Sequence, residues 1–175
     1  GSYQYDVEEK KETYPHANYL SYAESTDGVH WTRPNLGLVE FEGSKENNIF
    51  LSADSIKEVP PHLNANAIFL DTNPNCKPNA RYKAIIRSSG ERGLYALKSA
   101  DGIHFSLLSD KLILTKGAFD SQNLAFWDSA RGEYRAYLRY FTEGRRDILT
   151  ATSKDFLTWT EPVPLVYPGA PKEHL

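Results

Sequence analysis

The chain lacks the features that would place it in several common protein classes. Its 175 residues include one cysteine, Cys76, and no methionine, so an internal disulfide cannot form. No stretch approaches the roughly 18 consecutive apolar residues that a membrane-spanning helix requires. The formal net charge is −3, which provides no basic surface for nucleic acid or for an anionic membrane. We therefore expect neither nucleic acid nor a membrane as a partner.

Sequence motifs for metal, nucleotide and nucleophile chemistry are also lacking. His16, His62 and His174 have no metal-ligand spacing with one another, and no cysteine lies beside them. Neither a glycine-rich phosphate loop nor a nucleophile-elbow serine occurs. The sequence therefore predicts no metal site and no cofactor.

The chain does contain a motif that occurs three times. It reads Ser-x-Asp, then a turn position, then an aromatic residue four positions after the aspartate, in residues 25–31, 99–105 and 153–159. Ser and Asp side chains bond to backbone amides one or two residues onward and close turns, and Gly28 and Gly102 allow a positive φ. We predict that each aspartate is a structural turn residue, and that the histidines three positions later in the first two motifs have turn or packing roles rather than metal binding.

The strand pattern around these motifs repeats as well. In two segments, a short apolar run, an alternating run, a third run before the motif and a fourth after it predict four strands. This arrangement is typical of one blade of a β-propeller. The sequence therefore predicts an all-β fold, a propeller of four-stranded antiparallel blades. The expected boundaries are a partial blade at 3–51, complete blades at 62–108 and 119–167, and the start of a further blade at 168–175.

The residues at both ends of the chain suggest that it is part of a larger propeller. The first two residues, Gly-Ser, are typical of the scar of a cleaved tag, and no apolar inner strand precedes residues 3–7. We expect residues 3–175 to be one partial propeller domain from a longer protein. Exposed sheet edges in such a piece are expected to permit self-association.

A resemblance to a known family rests on several of these segments. The Ser-x-Asp-x-x-x-Trp hairpin after the third strand of each blade resembles the five-bladed propellers of glycoside hydrolase families 32 and 43. Residues 22–31, 33–37 and 43–49, together with 119–123 and 173–175, are similar to a bacterial group described as glycosyl-hydrolase-like, of the family 32 N-terminal type. The resemblance implies a five-bladed parent protein with a carbohydrate site where the inner strands converge. Its cellular location is left open, with a secreted or periplasmic bacterial protein expected.

The candidate site follows from where a propeller brings side chains together. Residues that reach the axis lie at the starts of the inner strands, which selects Asp120 and Glu173 as acids. Glycoside hydrolysis uses two carboxyl groups that flank the scissile bond. The resemblance implies a stabilising or pKa-modulating role for Asp120 and a general-acid role for Glu173, with a third carboxylate upstream of this chain. The candidate substrate-binding residues are His62, Asn64, Asn66, Gln122, Asn123, Arg139 and His174.

Three functions stay open at this point. The leading hypothesis is a glycoside hydrolase acting on poly- or oligosaccharide, with this piece alone expected to be inactive. The second is a glycoside phosphorylase, for which Arg87 and Arg139 are the candidate phosphate ligands. The third is a non-catalytic propeller that binds carbohydrate or a protein partner through aromatic residues and loops.

Overall fold

The structure is a computed structural model that describes residues 4–13, 16–59 and 61–169. Regular structure in these residues consists of β-strands and two short 3-10 turns, and the sheets are antiparallel without closing into a barrel. The predicted all-β fold class is confirmed. The chain divides into two compact units, residues 1–63 and 64–175.

The first unit contains two small antiparallel sheets. Strands β1 (Gln4–Asp6) and β2 (Lys11–Thr13) form a hairpin, and β3 (Leu20–Ser21) pairs with β4 (Ile49–Leu51), which is followed by a 3-10 turn at Ala53–Ser55. The long connection between β3 and β4 carries the first repeated motif. Asn47 holds the end of this connection, because its side chain donates to the Val39 carbonyl at 2.8 Å and accepts from the Ile49 amide at 2.9 Å.

Two four-stranded sheets account for most of the second unit, although β5 begins at the end of the first. The first sheet runs in the order β5 to β8 and the second in the order β9 to β12, and a 3-10 turn at Pro78–Ala80 precedes β6. The first sheet falls almost entirely within segment 62–108 and the second within segment 119–167, the two segments predicted to form four strands each. The strands are β5 (Pro61–Leu70), β6 (Tyr82–Ser88), β7 (Leu94–Ser99), β8 (Ser106–Leu107), β9 (Leu124–Asp128), β10 (Glu133–Thr142), β11 (Arg145–Ser153) and β12 (Val163–Pro164).

The hydrophobic core of the second unit is built from alternating positions of these strands. On β10, Tyr134, Ala136 and Leu138 are buried, whereas Arg135, Tyr137 and Arg139 between them are partly exposed, as the sequence alternation predicted. The inward side chains join a cluster with residues of the first sheet. Full burial of a large apolar side chain contributes about 1.5–3 kcal/mol. The cluster comprises Ala67, Ile85, Leu94, Ala96, Leu114, Phe119, Ala125, Tyr134, Ala136, Leu138, Leu149, Ala151 and Phe156.

The three repeated motifs form the same hydrogen-bonded turn. In the second one, the Ser99 hydroxyl oxygen accepts from the Gly102 amide at 2.9 Å, and Asp101 Oδ1 accepts from two amides at 2.9 and 2.8 Å. The fourth motif position has a positive φ in every copy: 77° at Gly28, 81° at Gly102 and 69° at Phe156. The predicted turn role of the three aspartates is therefore confirmed.

The motif histidines are part of these turns. His30 Nδ1 lies 2.7 Å from Asp27 Oδ2, and His104 Nδ1 lies 2.7 Å from Asp101 Oδ2. In the third motif, the Thr158 hydroxyl donates to the aspartate at 3.0 Å in the same way. This equivalence confirms the predicted turn role of both histidines.

Candidate functional site

The predicted axial residue Asp120 lies in a loop whose preceding residues are held in place by hydrogen bonds and burial. The Ala118 amide donates to the Arg139 carbonyl at 2.8 Å, and Arg92 donates two hydrogen bonds to the Gly117 carbonyl, at 2.9 and 2.6 Å. Phe119 has a φ of 59°, a region that costs a non-glycine residue roughly 1–2 kcal/mol. Its ring is fully buried in the core, which offsets that cost and turns the next residue outward.

Asp120 forms an ion pair with another predicted site residue. Its Oδ1 lies 3.5 Å from Arg139 Nε, with the Asp120 side chain 43% exposed and the Arg139 side chain 20% exposed. The guanidinium carbon of Arg139 lies 4.7 Å from the centre of the Phe141 ring, in cation–π contact. The structure thus joins the loop before β9 to the second half of β10 through a mostly buried guanidinium beside an exposed carboxylate.

A cleft of about 330 Å³ adjoins this ion pair. Its polar lining combines a hydroxyl, an amide, two guanidinium groups and a carboxylate, while Tyr137 and three aliphatic side chains supply apolar surface. Sites for small ligands usually combine an apolar lining with a few polar groups, and sugar hydroxyls can both donate to and accept from such groups. The lining residues are Ser121, Gln122, Leu124, Tyr137, Leu138, Arg139, Arg146, Asp147 and Ile148.

Sequence reasoning did not identify Arg146 and Asp147 as parts of this cleft. They follow the hairpin turn at Glu143 and Gly144, both with positive φ, and this turn fixes the register of β10 against β11. In that register Ile148 pairs with Arg139 and Asp147 pairs with Tyr140. The sequence does contain the two-residue turn at Glu143 and Gly144, and counting outward from it gives the pairing of β10 residues with β11 residues.

Gln122 and Asn66, also predicted as site residues, contact each other. The Gln122 side chain donates to the Asn66 carbonyl at 2.7 Å, and the Asn66 side chain accepts from the Arg87 amide at 3.3 Å. Asn66 Nδ2 is buried and has no hydrogen-bond partner among the residues that the structure describes. The start of β9 is therefore connected to β5, the first strand of the other sheet.

The other predicted site residues have different positions. Asn64 is exposed on β5, and Asn123 is fully buried with its amide 3.4 Å from the Phe119 carbonyl, where it stabilises the loop. His62 is partly exposed on β5 and belongs to the first unit. Glu173 and His174 lie outside the described residues.

A second polar cluster, which the sequence did not predict, lies inside the second unit. Asp71 and Lys83 form an ion pair whose side chains are 0% and 6% exposed. The Tyr134 hydroxyl donates to Asp71 Oδ2 at 2.7 Å, and the Asn73 side chain donates to that hydroxyl at 3.0 Å. Lys83 Nζ also lies 3.2 Å from Cys76 Sγ. These five residues bring an acid, an amine, a phenol and a thiol together.

The surroundings of this cluster change the proton affinities of its members. Burial alone would raise the pKa of Asp71, but the bonds from Lys83, from Tyr134 and from the Asn73 amide hold that pKa below its usual value. Burial, followed by the bond to Asp71, raises the pKa of Tyr134 well above its usual range. Burial and the neighbouring Asp71 likewise raise the pKa of the Cys76 thiol.

Neither metal ligands, nor membrane spans, nor related proteins add a further functional assignment for this chain. Within residues 4–13, 16–59 and 61–169, no three His, Cys, Asp or Glu side chains form a group that could hold a metal ion. The same part of the chain contains no helix with the length and apolar character needed to cross a membrane. Comparison with protein-family models, with curated proteins and with solved structures finds no match to this chain.

Proposed function

We propose that this chain is part of a β-propeller glycoside hydrolase and that the cleft beside Asp120 is part of its carbohydrate site. The observation that carries this proposal is the Asp120–Arg139 ion pair at a half-apolar cleft, directly before the first strand of a four-stranded sheet. In a propeller this position faces the central axis, where side chains from several blades meet.

The two sheets of the second unit support the propeller part of the proposal. Each is a sheet of four strands in sequence order, with the same Ser-x-Asp turn after its third strand. The first strand of each sheet, β5 and β9, is an edge strand. Blades of a propeller have this composition, with the first strand lining the central channel.

The chemistry of hydrolysis assigns a role to Asp120, which lies beside this cleft rather than in its lining, and to Arg139, which lines it. Glycosidases use two carboxyl groups, one on each side of the scissile bond. Asp120 is one such group, and Arg139 orients it from the side while leaving part of the carboxylate accessible. In the proposed enzyme Asp120 stabilises charge that develops on the sugar, and Glu173 supplies the proton for the leaving group.

A glycoside phosphorylase is the second candidate, and one observation favours it. Arg139 and Arg146 both line the cleft. A guanidinium group binds phosphate oxygens in a bidentate manner, so two of them beside a sugar site would suit phosphate as the attacking group in place of water. Arg87, the other arginine considered for this role, is not among the residues of this cleft.

Product release from a panel of glycosides tests the proposal, with and without inorganic phosphate. It is measured for the 175-residue chain and for the parent, the complete propeller of which we propose that it is part. Asp120→Asn keeps the shape of the side chain and removes its charge, and Asp110→Asn, an exposed aspartate outside the cleft, is the control. We expect turnover by the parent that Asp120→Asn abolishes and Asp110→Asn preserves. Phosphate-dependent turnover would identify the phosphorylase, and turnover that survives Asp120→Asn would exclude this site.

A further inference from the structure

The buried cluster around Lys83 contains an amine and a thiol in contact. Lys83 Nζ lies 3.2 Å from Cys76 Sγ, and Nζ also donates to Asp71 and, at 3.2 Å, to the Ala80 carbonyl. The ammonium therefore has all three of its hydrogens directed at fixed partners, one of which is sulfur. A lysine that only neutralised Asp71 would not need the sulfur contact.

The thiol of this pair can be reached from solvent. Cys76 is partly exposed and free, and it lines a cleft of about 300 Å³ with Asn73, Lys83, Tyr134 and Lys154 among the other lining residues. A small oxidant such as hydrogen peroxide fits this space, whereas the amine behind the sulfur is nearly fully buried. An oxidised sulfur would thus form next to a fixed nitrogen that is itself shielded from bulk water.

We propose that peroxide oxidation of Cys76 leads to a covalent sulfur–nitrogen cross-link between Cys76 and Lys83. In the first step the Cys76 thiolate attacks peroxide; an S–O bond forms, the O–O bond breaks, and the products are a sulfenic acid and water once protons are counted. In the second step the Lys83 ammonium gives a proton to the hydroxide that peroxide released, and its neutral amine attacks the sulfur. The S–N bond forms as the S–O bond breaks, and the hydroxide leaves as water.

The overall step balances with one peroxide. One thiol, one amine and one hydrogen peroxide give one sulfenamide and two waters; sulfur loses two electrons and peroxide gains them. Sulfenic acids are known to condense with nitrogen in this way. Excess thiol reductant reverses the bond by returning the thiol and the amine and becoming a disulfide. The cross-link removes the positive charge of Lys83 from the core.

The ionisable groups around Cys76 and its burial affect the pKa of the thiol and therefore the rate of its oxidation by peroxide. Lys83 and Asp71, from the first sheet and the loop after β5, and Tyr134, from β10, form the buried side of the site around Cys76. Its open side is the cleft, which is also lined by Lys77, Lys154 and Asp155. Because burial raises the pKa of the thiol and only the thiolate attacks peroxide, oxidation is slow at neutral pH. Its rate therefore rises as the pH increases toward the thiol pKa.

The composition of the chain makes the test unambiguous. Cys76 is the single cysteine and methionine is absent, so any oxidation of sulfur occurs at one atom. The chain is treated with hydrogen peroxide in mildly alkaline buffer, and its intact mass and its proteolytic fragments are measured before and after reduction. We expect a monomer that has lost two hydrogen atoms, a fragment joining Cys76 to Lys83, and restoration of the original mass by reductant.

Two variants provide the controls for this cross-link. Lys83→Arg retains a cation beside Asp71 but no primary amine, so the cross-link should fall to background. Lys154→Arg removes another amine that lines the same cleft and should leave the cross-link unchanged. A wild-type product that carries added oxygen without a cross-link contradicts the proposal, as does the loss of two hydrogens in Lys83→Arg. Because the fragment joined to Cys76 is identified in the wild-type chain, the test does not depend on the folding of a variant.

Discussion

At the scale of single residues, the two polar groups of the second unit are held in different ways. Asp120 is exposed at a cleft and has a cation at 3.5 Å, whereas Asp71 is fully buried and in contact with Lys83 and Tyr134. A buried ion pair costs a large desolvation energy, so the loss of one partner leaves an uncompensated charge. The buried pair therefore matters for stability, and the exposed pair is available for a ligand.

Replacement of Lys83 tests the structural role of the buried pair. Lys83→Met should lower the free energy of unfolding by about 3–5 kcal/mol, because Asp71 keeps a charge without its partner. Adding Asp71→Asn to that variant should restore part of the loss, since the buried charge is then removed. Urea unfolding of the two single variants and the double variant measures the coupling between the residues. A double variant no more stable than Lys83→Met would contradict this account of the pair.

The turn aspartates predict a specific response to acid. The His104 amide, with other bonds to the carboxylate, holds the pKa of Asp101 far below its usual value. Since the folded-state pKa is the lower one, the stabilisation is present above the unfolded value of about 3.9 and is lost as the pH falls below it. In urea unfolding from neutral to acidic pH, Asp101→Asn should therefore lose less stability than the wild-type chain does. Asp110→Asn, an exposed control, should follow the wild type; an equal acid response in Asp101→Asn would refute the assignment.

At the scale of strands and turns, the sequence predicted individual turns and strand faces better than the contacts between strands. The Ser-x-Asp pattern and the alternation on β10 indicated turns and faces correctly, because hydrogen bonding and burial there depend on neighbouring residues. The Asp71–Tyr134 contact joins residues that are far apart in sequence, and only the packing of one sheet on the other brings them together. Lys83 lies on the same face of β6 as Ile85. A lysine on an apolar strand face indicates that an acidic partner is buried with it.

The same limit applies to the candidate site. Asp120 and Arg139 were both selected from the sequence, one from its place before a strand and the other from its place late in a strand, but their ion pair was not. Asn123 was selected with them as a ligand residue, yet its side chain is buried beneath the loop. Position along a strand predicts which end of a sheet a residue occupies, whereas loop conformation decides whether its side chain reaches solvent.

A glycine in the repeated turn provides a test at the level of this element. Gly102 has a φ of 81°, and a Cβ atom there would lie 3.1 Å from the Tyr82 ring. Gly132, with a φ of 62°, has open space around the same position. Alanine at either site should cost roughly 1–2 kcal/mol through the backbone conformation, and Gly102→Ala should cost more because the ring must move. Thermal and urea unfolding compare the two variants; equal losses would show that the Tyr82 contact is not tight.

At the scale of the whole molecule, one sheet face of the second unit exposes several apolar side chains among the described residues. Leu124, Phe126 and Ile148 are 45%, 37% and 40% exposed, and the Phe126 and Tyr137 rings stack at 6.1 Å. Strand register places all four on the face opposite the core, beside the Asp120 cleft. In a propeller, the neighbouring blade packs on such a face and becomes a wall of the central site. The proposed carbohydrate site beside Asp120 would have such a neighbouring blade as one of its walls.

The claim common to the hydrolase and the phosphorylase is that the cleft beside Asp120 binds carbohydrate. Titration of a glycoside panel into the isotope-labelled chain, followed by amide chemical shifts in NMR spectra, tests it most directly. The account predicts shifts at Gln122, Tyr137 and Arg139 that saturate. Asp120→Asn should weaken binding by roughly tenfold or more, because a hydrogen bond to a charged group contributes about 1.5–3 kcal/mol, while Asp110→Asn should not. Saturating shifts elsewhere, such as around the exposed Trp31, with the cleft unaffected would contradict the account.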